Sequence, residues 1–429
     1  MSTSRRTFLK SAAAIGAGLY VGRPSASWAS KSPSEKIDVA CVGVGNRGYS
    51  NVQGVKSQNI VAMCDVDDVT AAKAYKNFPK ATKYRDFREM LDNEKLDGVV
   101  VATPDHTHLP VAITAMRRDL PVYVEKPMGH NVWEVRLATE LAREKNLATQ
   151  LGTQIHATDN YRRVVEAVQS GAIGPIRDVQ VWIHKDWGGD HDKRLKGTPP
   201  IPETLDWDLW LGPAEERPYA KGYLPREWRR WWEFGCGTLG DMGCHYMDLA
   251  YWAMGLDYPT KIAAEGPKPS PECPPHGMKV IYNFPSKGDR PPLQMTWSDG
   301  NMAPTELHGI KLPGAGVLFV GEEGQILGTY SSLKLYPEEK YADWTAPEPT
   351  IPPSIGHHNE WIAAVKTGSP TLCNFDYSGP LTETVLLGCA AYRAGQPLEW
   401  DAANLKVTND VPGAAELIHP AYRKGWELG

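Results

Sequence analysis

Three groups of residues in this 429-residue chain have types and spacings suited to chemistry. Gly43, Gly45 and Gly48 end the apolar run 37–44 in the spacing GxGxxG, with Asn46 and Arg47 inside the turn. In that spacing the first glycine permits a tight turn and the second lets the backbone approach a pyrophosphate. The third lets a new helix pack closely on its strand. The helix start then offers free N–H groups and the positive end of its dipole to the phosphates. A second apolar run, 59–64, closes on Asp65, seventeen positions past Gly48. A carboxylate there accepts hydrogen bonds from an adenosine ribose and repels a 2′-phosphate, so the expected cofactor is NAD, with NADP not excluded. The second group is Asp241, His245 and Asp248, at i, i+4 and i+7 within 237–255, which on a helix share one face. Histidine titrates near neutrality and suits proton transfer; an exposed polar helix face is the other reading of this pattern. The third group is Glu125, Lys126 and Pro127 after the apolar run 121–124, where the lysine is either a pocket residue or a surface side chain in a proline turn.

Residues 99–102 are wholly apolar, as a parallel strand covered on both faces requires. At their C-terminal end stand Thr103, Pro104 and His108, on the edge where open α/β sheets bind ligands. His108 opens the next helix, 109–118, and either meets the cofactor or contacts backbone at the helix start. Helical spacing over 69–78 and 132–145 and further strands over 148–154 and 176–184 extend the alternation. From residue 260 onward, runs at 278–284, 293–297, 316–320 and 325–330 are separated by Pro/Gly loops and read as an open antiparallel sheet, followed by helices at 357–366 and 381–394.

The GxGxxG turn, the ATPxxxH segment from Ala102 to His108 and the Glu125-Lys126-Pro127 triplet resemble the Gfo/Idh/MocA oxidoreductases, the glucose-fructose oxidoreductase and inositol dehydrogenase group. The resemblance implies an α/β fold, with a doubly wound parallel Rossmann sheet first and a C-terminal α+β domain with an open, mostly antiparallel sheet second. It implies cofactor contacts at Gly43, Gly45, Asn46, Arg47, Gly48, Asp65, Thr103, Pro104, His108, Glu125 and Lys126. By the family's DxxxHxxD pattern, His245 is the general base and acid on a reacting hydroxyl of a sugar or polyol. Lys126 reaches the same hydroxyl, Asp241 binds a neighbouring one, and Asp248 is counted with Asp241 and His245 among the substrate-binding residues, in a supporting place. Some members are NAD-dependent glycosidases working by transient oxidation and elimination, and a sugar-binding protein without turnover is a third reading. The family packs its C-terminal sheet on another subunit, which implies a homo-oligomer.

The totals fit small-molecule partners. A net charge of −5 gives no general reason to bind nucleic acid or an anionic membrane. Fifteen tryptophans and 35 prolines suggest structured loops with aromatic faces, suited to sugars, although any single tryptophan is as readily core. Trp207, Trp210, Trp228, Trp231 and Trp232 are wall candidates, most of them packing. The loop carrying His184, Asp186, Asp190, His191 and Asp192 lacks fixed ligand spacing, so no metal is assigned. It is read as a lining of the substrate pocket, with Trp187 as a sugar-stacking face. Seven cysteines without a CxxC give no zinc signature, and Cys236 and Cys244 could pair. Residues 1–29, with Arg5 and Arg6 before an Ala/Gly-rich run, resemble a twin-arginine export signal, which implies a periplasmic or otherwise exported protein that keeps its cofactor. The expected domains are 1–29 as signal, 36–156 for the nucleotide and 157–429 for substrate and oligomerisation, with no membrane span after signal removal.

Overall fold

The computed structural model describes residues 35–196 and 199–429; the signal-like segment 1–29 lies outside the described residues. The first sheet is built from short apolar strands, each followed by a helix. Its elements run β1 (Asp38–Val42), α1 (Asn46–Gly54), β2 (Asn59–Cys64), α2 (Asp68–Asn77), β3 (Thr82–Tyr84), α3 (Phe87–Asn93), β4 (Gly98–Val101), α4 (Asp105–Arg117), β5 (Val122–Val124), α5 (Val132–Glu144) and β6 (Thr149–Leu151). All pairings are parallel in the order β3-β2-β1-β4-β5-β6. That is the doubly wound order whose direction reverses between β1 and β4, opening a crevice beyond their C-terminal ends. The helix starts are chemically marked: Asp67 and Asp86 accept from N–H groups of α2 and α3, and Asn131 and Glu134 form a reciprocal capping box on α5.

After α6 (Asp159–Gln169) and β7 (Ile176–Ile183), the chain passes through α7 (Trp207–Leu211) to the long helix α8 (Gly237–Met254). The strands β8 (Lys261–Glu265), β9 (Lys279–Phe284), β10 (Leu293–Asp299), the hairpin β11 (Glu306–Leu307) and β12 (Ile310–Lys311), β13 (Ala315–Gly321), β14 (Gln325–Gly328) and β15 (Leu333–Tyr336) follow. Then come α9 (His357–Thr367), α10 (Phe375–Ala394), β16 (Leu398–Asp401), β17 (Lys406–Val407) and α11 (Ala414–Ile418). Nine of these strands form one sheet, β15-β14-β13-β7-β10-β9-β8-β16-β17. It is antiparallel except where β7 meets β10. Strand β9 alternates between buried and half-buried residues, and α8 and α10 cover the sheet. Among the described residues no helix is long and apolar enough to cross a membrane.

Two features differ from the sequence expectation. Helix α10 begins at Phe375 rather than at 381, because the Asn374 side chain accepts from the Tyr377 N–H at 3.1 Å and caps it, and Pro380 is accommodated inside. The helix is buried on nearly every side because it lies between α5 and the second sheet, and Arg136 of α5 pairs with the buried Glu383 through two 2.8 Å contacts. Helix α9, although it comes late in the chain, packs into the first sheet's core: Trp361 is fully buried with Val39, Val100 and Tyr123. The core around β1 and β4 is therefore not made by residues 36–156 alone. Gly98 admits the indole, since a methyl group there would lie 2.9 Å from its ring. Trp361→Ala is expected to destabilise the fold by about 3–5 kcal/mol, read as an earlier unfolding midpoint in urea.

Candidate active site

The glycine turn is shaped by contacts that no side chain could share. Gly43 has φ +73°, and a methyl group there would sit 2.6 Å from the Ala102 carbonyl oxygen. Gly48 packs so closely that its added carbon would lie 1.7 Å from the Gly43 oxygen, and one on Gly45 would lie 2.1 Å from Thr70 Cγ2. Gly45 stands at the N-cap of α1 with no side chain capping it, so the first N–H groups remain available to a ligand. Asp65 is buried beside this turn; Oδ2 accepts from Val44 N–H at 2.9 Å and Oδ1 from Asp67 N–H at 3.0 Å. Burial raises its carboxyl to about 6 despite these bonds. A bare glycine backbone, a free helix start and a carboxylate at the neighbouring strand end fit a dinucleotide. Gly45→Ala is expected to raise the NAD dissociation constant at least about tenfold, roughly 1.4 kcal/mol, in a calorimetric titration.

One cleft of about 470 Å³ joins this turn to the long helix α8. Asn46, with φ +45°, and Arg47 line it, as do Thr103 and Pro104. His108 lines it too, but its ring nitrogens lie 2.7 Å from the Pro127 and Thr103 carbonyl oxygens, so the ring ties the end of β4 to the Lys126 turn. Glu125 ties the same turn to α1. It accepts from Arg47 at 2.8 Å, Asn51 at 3.0 Å and Gln154 at 2.8 Å. Burial pushes its carboxyl up, but Arg47 and Lys126 outweigh this and hold it below its ordinary value.

At the far end of the cleft, α8 presents Asp241 and His245 one turn apart. Asp241 is 5% exposed, and its oxygens are fully engaged. Oδ1 accepts from Lys126 Nζ at 2.7 Å and Arg229 Nε at 3.3 Å, and Oδ2 from Lys185 Nζ at 2.6 Å and Trp187 Nε1 at 2.7 Å. Burial alone would raise its pKa, yet Lys126, Arg229 and Lys185 together hold it well below the carboxylate range. Four donors fill the four acceptor sites of a carboxylate, so Asp241, expected to take a substrate hydroxyl, here gathers cations. The indole of Trp187 is likewise committed, donating to Asp241 and lying 5.0 Å from Lys185 Nζ. His245 Nδ1 is buried without a partner. Burial, and then the charge of Lys126, push its pKa down to about 3, so the ring is neutral.

Asp248 needs correction. It shares the helix face of Asp241, but about 10 Å further along the axis, where other elements cover that face. It is fully buried, 3.0 Å from His156 Nδ1 and accepting from the Tyr377 hydroxyl at 2.6 Å, and it does not line the cleft. Trp187, Trp210, Trp228 and Trp426 line the cleft, while Trp207, Trp231 and Phe234 pack with Trp210 and Trp228 in an aromatic cluster and Trp232 joins the main core. Asp186 and Asp190 flank the His276 ring at 2.7 and 2.8 Å, and His191 stacks on Trp231. All seven cysteines are buried and free. Cys236 and Cys244 lie about 12 Å apart along one helix, beyond the reach of a disulfide.

Sequence reasoning missed Lys185, Arg229 and Asp105. Lys185 carried a usable signal, two positions before Trp187 in the same pocket loop. Arg229 was hidden among the charges of the tryptophan-rich stretch, where nothing local marks which side chain turns inward. Asp105 is 3% exposed at the start of α4, its carboxyl raised to about 7 by burial against the opposing pull of Arg229 and Lys126.

Comparison with known proteins gives two matches that together span the described fold. Residues 15–153 match the NAD-binding Rossmann fold of an oxidoreductase family, and residues 160–428 match the C-terminal alpha/beta domain of the same family. An alpha-N-acetylgalactosaminidase of Tannerella forsythia is 31% identical over 266 residues, 53% of this chain and 53% of that protein. An inositol 2-dehydrogenase of an Arthrobacter species is 26% identical over 174 residues, 39% of this chain and 48% of the relative. The chain thus spans about half the length of the curated relatives it matches. The WlbA dehydrogenase of Bordetella pertussis, solved with NADH and UDP-GlcNAcA, superposes with a TM-score of 0.61 at 17% identity, over 86% of this chain and 99% of that one; this likeness is one of fold.

Proposed function

The chain belongs to the Gfo/Idh/MocA oxidoreductase family and carries its NAD-binding Rossmann domain, and from that premise we propose that it oxidises or reduces a hydroxyl-bearing carbon of a sugar or polyol. The observation that carries the reading is the buried, unpartnered His245 Nδ1 in the cleft with Lys126, which exerts the strongest charge effect on it. Bound NAD supplies the hydride acceptor or donor. The glycine turn, Asp65 and the Glu125 turn hold the dinucleotide along the cleft. A neutral imidazole is the form that accepts a proton from a hydroxyl, and burial and Lys126 together keep His245 in that form. Lys126 Nζ, fixed by Asp241 Oδ1 at 2.7 Å and the Asp241 carbonyl at 2.9 Å, supplies a positive charge where the hydroxyl oxygen loses its proton. Asp241 keeps Lys126, Lys185 and Arg229 from repelling one another. Assay of NADH formation across a panel of sugars and polyols tests this; no NADH from any of them rejects it.

Glycosidase relatives favour a second reading with the same residues. There the sugar is oxidised transiently, the acidified neighbouring C–H is deprotonated, the aglycone leaves by elimination, water adds and the sugar is reduced again. Cleavage of an aryl glycoside without net NADH formation, with solvent deuterium in the product, selects it. The export-like residues 4–29 further motivate a periplasmic protein that retains its cofactor through the cycle. Purification of the mature protein and denaturation without added cofactor tests this. Near-stoichiometric NAD(H) release supports retention, and an empty protein that binds added NAD removes it. A homo-oligomer through the C-terminal sheet completes the proposal, to be read by light scattering.

A further inference from the structure

We infer that the substrate carries an anionic group close to the reacting carbon, a carboxylate of the uronate type. The inference rests on the oxidoreductase reading and deepens it. The observation is a charge imbalance. At the α8 end of the cleft three cations, Lys126, Lys185 and Arg229, meet the one carboxylate of Asp241. Asp105 is the other acid coupled to them, which leaves one positive charge in excess, and Arg226 lines the same cleft. The other nearby pair, Arg47 with Glu125, is internally balanced. Burial raises the Asp105 carboxyl to about 7, so near neutrality it supplies less than a full negative charge. Asp241 is saturated by four donors and has no acceptor site left with which to neutralise an incoming cation or satisfy another donor.

The surplus faces the open cleft. Side-chain exposure is 38% for Lys185 and 21% for Arg229, against 11% for Lys126. The guanidinium carbon of Arg229 lies 4.1 Å from the centre of the Trp228 ring, a cation–π contact that helps hold the side chain. Only its Nε is engaged, and its two terminal nitrogens make no hydrogen bond among the described residues. A planar fork with both outer nitrogens free matches a planar carboxylate. Arg226 stands exposed on the cleft rim with no ion pair among the described residues. Lys185, Arg229 and Lys126 converge on one carboxylate, so an anion meeting the first two lies within a side chain's span of the reacting hydroxyl. A neutral sugar would leave that surplus unanswered. If the cations serve only to ease loss of the hydroxyl proton, neutral and acidic sugars should perform alike.

The test uses the full chain with its cofactor. Glucuronate and galacturonate, their methyl esters, the parent neutral sugars and glucose 6-phosphate are compared in two ways: by KM for NADH formation, and by calorimetric binding to the NADH-loaded protein, where oxidation cannot proceed. The expected result is binding of a uronate at least about tenfold tighter than its methyl ester, with the difference shrinking as salt rises. In Arg229→Gln, and separately in Arg226→Gln at the rim, the acid-to-ester ratio falls toward one. Equal binding of acid and ester by the wild-type protein overturns the inference and leaves the oxidoreductase reading standing if NADH forms. Tenfold preference for the sugar phosphate over both uronates overturns the carboxylate assignment. Neither binding nor NADH formation with any of these sugars overturns both.

Discussion

Lys126→Met lowers turnover by about a thousandfold while the protein still loads NAD, in single-turnover measurements alongside an NAD titration. The expectation follows from where Nζ stands. It is held by two oxygens of Asp241, one of them the main-chain carbonyl, inside the same cleft as His245. Methionine keeps the length and apolar stem but removes the charge. The loss should not unfold the site, because Lys185 and Arg229 remain to balance the Asp241 carboxylate. A pH profile separates this role from a merely structural one. Burial and Lys126 are what push His245 down to about 3, so removing the lysine lets its pKa rise toward the ordinary value. The acid limb of the rate profile, where the imidazole must be neutral to accept a proton, should therefore move to higher pH in the variant. An unchanged profile, or a turnover loss under tenfold, would refute the assignment.

Asp241→Asn is expected to cost about 3 kcal/mol of stability as well as most of the activity. Removing one partner of a buried ion pair leaves the others uncompensated, and here three cations lose one carboxylate. The figure sits at the low end because Lys185 and Arg229 keep some access to water. The pH dependence has a definite sign. The folded carboxyl is held well below the ordinary Asp value near 3.9, so its contribution is fully present above about pH 4 and is lost as pH falls through the folded value. The gap in thermal midpoint between wild type and variant should therefore be constant near neutrality and close only in strong acid. A gap that persists unchanged into strong acid would mean that packing, and not charge, makes the difference. Asp105 works the other way: raised to about 7 by burial, it favours the fold at low pH, and that share fades as pH rises from about 4 through 7.

The nucleotide-binding half was legible because its information is local. A strand that must be apolar on both faces, a turn that must lack side chains and a carboxylate at the next strand end are each written in a few consecutive residues, and the strand order then follows from parallel βαβ rules. The open second sheet was legible as short runs punctuated by Pro and Gly, although β8 and β15 passed unnoticed because they are short and poorly alternating. Helical periodicity placed Asp241, His245 and Asp248 on one face correctly. It could not say that the cleft ends before Asp248, because periodicity fixes an angle about the axis and not how far along that axis another layer reaches.

By itself, then, the sequence determined that this chain folds as a dinucleotide-binding sheet followed by an open sheet, and that Lys126 follows a strand of the first while His245 shares a helix face with Asp241, because both depend on spacing within single elements. Only the tertiary structure decided that Asp241 is the anchor of a cation cluster and not a free acceptor, and that Trp361 belongs to the first core. It alone turned Lys185, Arg229 and Asp105 toward one cleft. The Asp241 cluster depends on side chains from four separate stretches meeting within hydrogen-bond distance. No local pattern encodes such a meeting, because the Coulomb and desolvation energies that settle it exist only once the layers have closed.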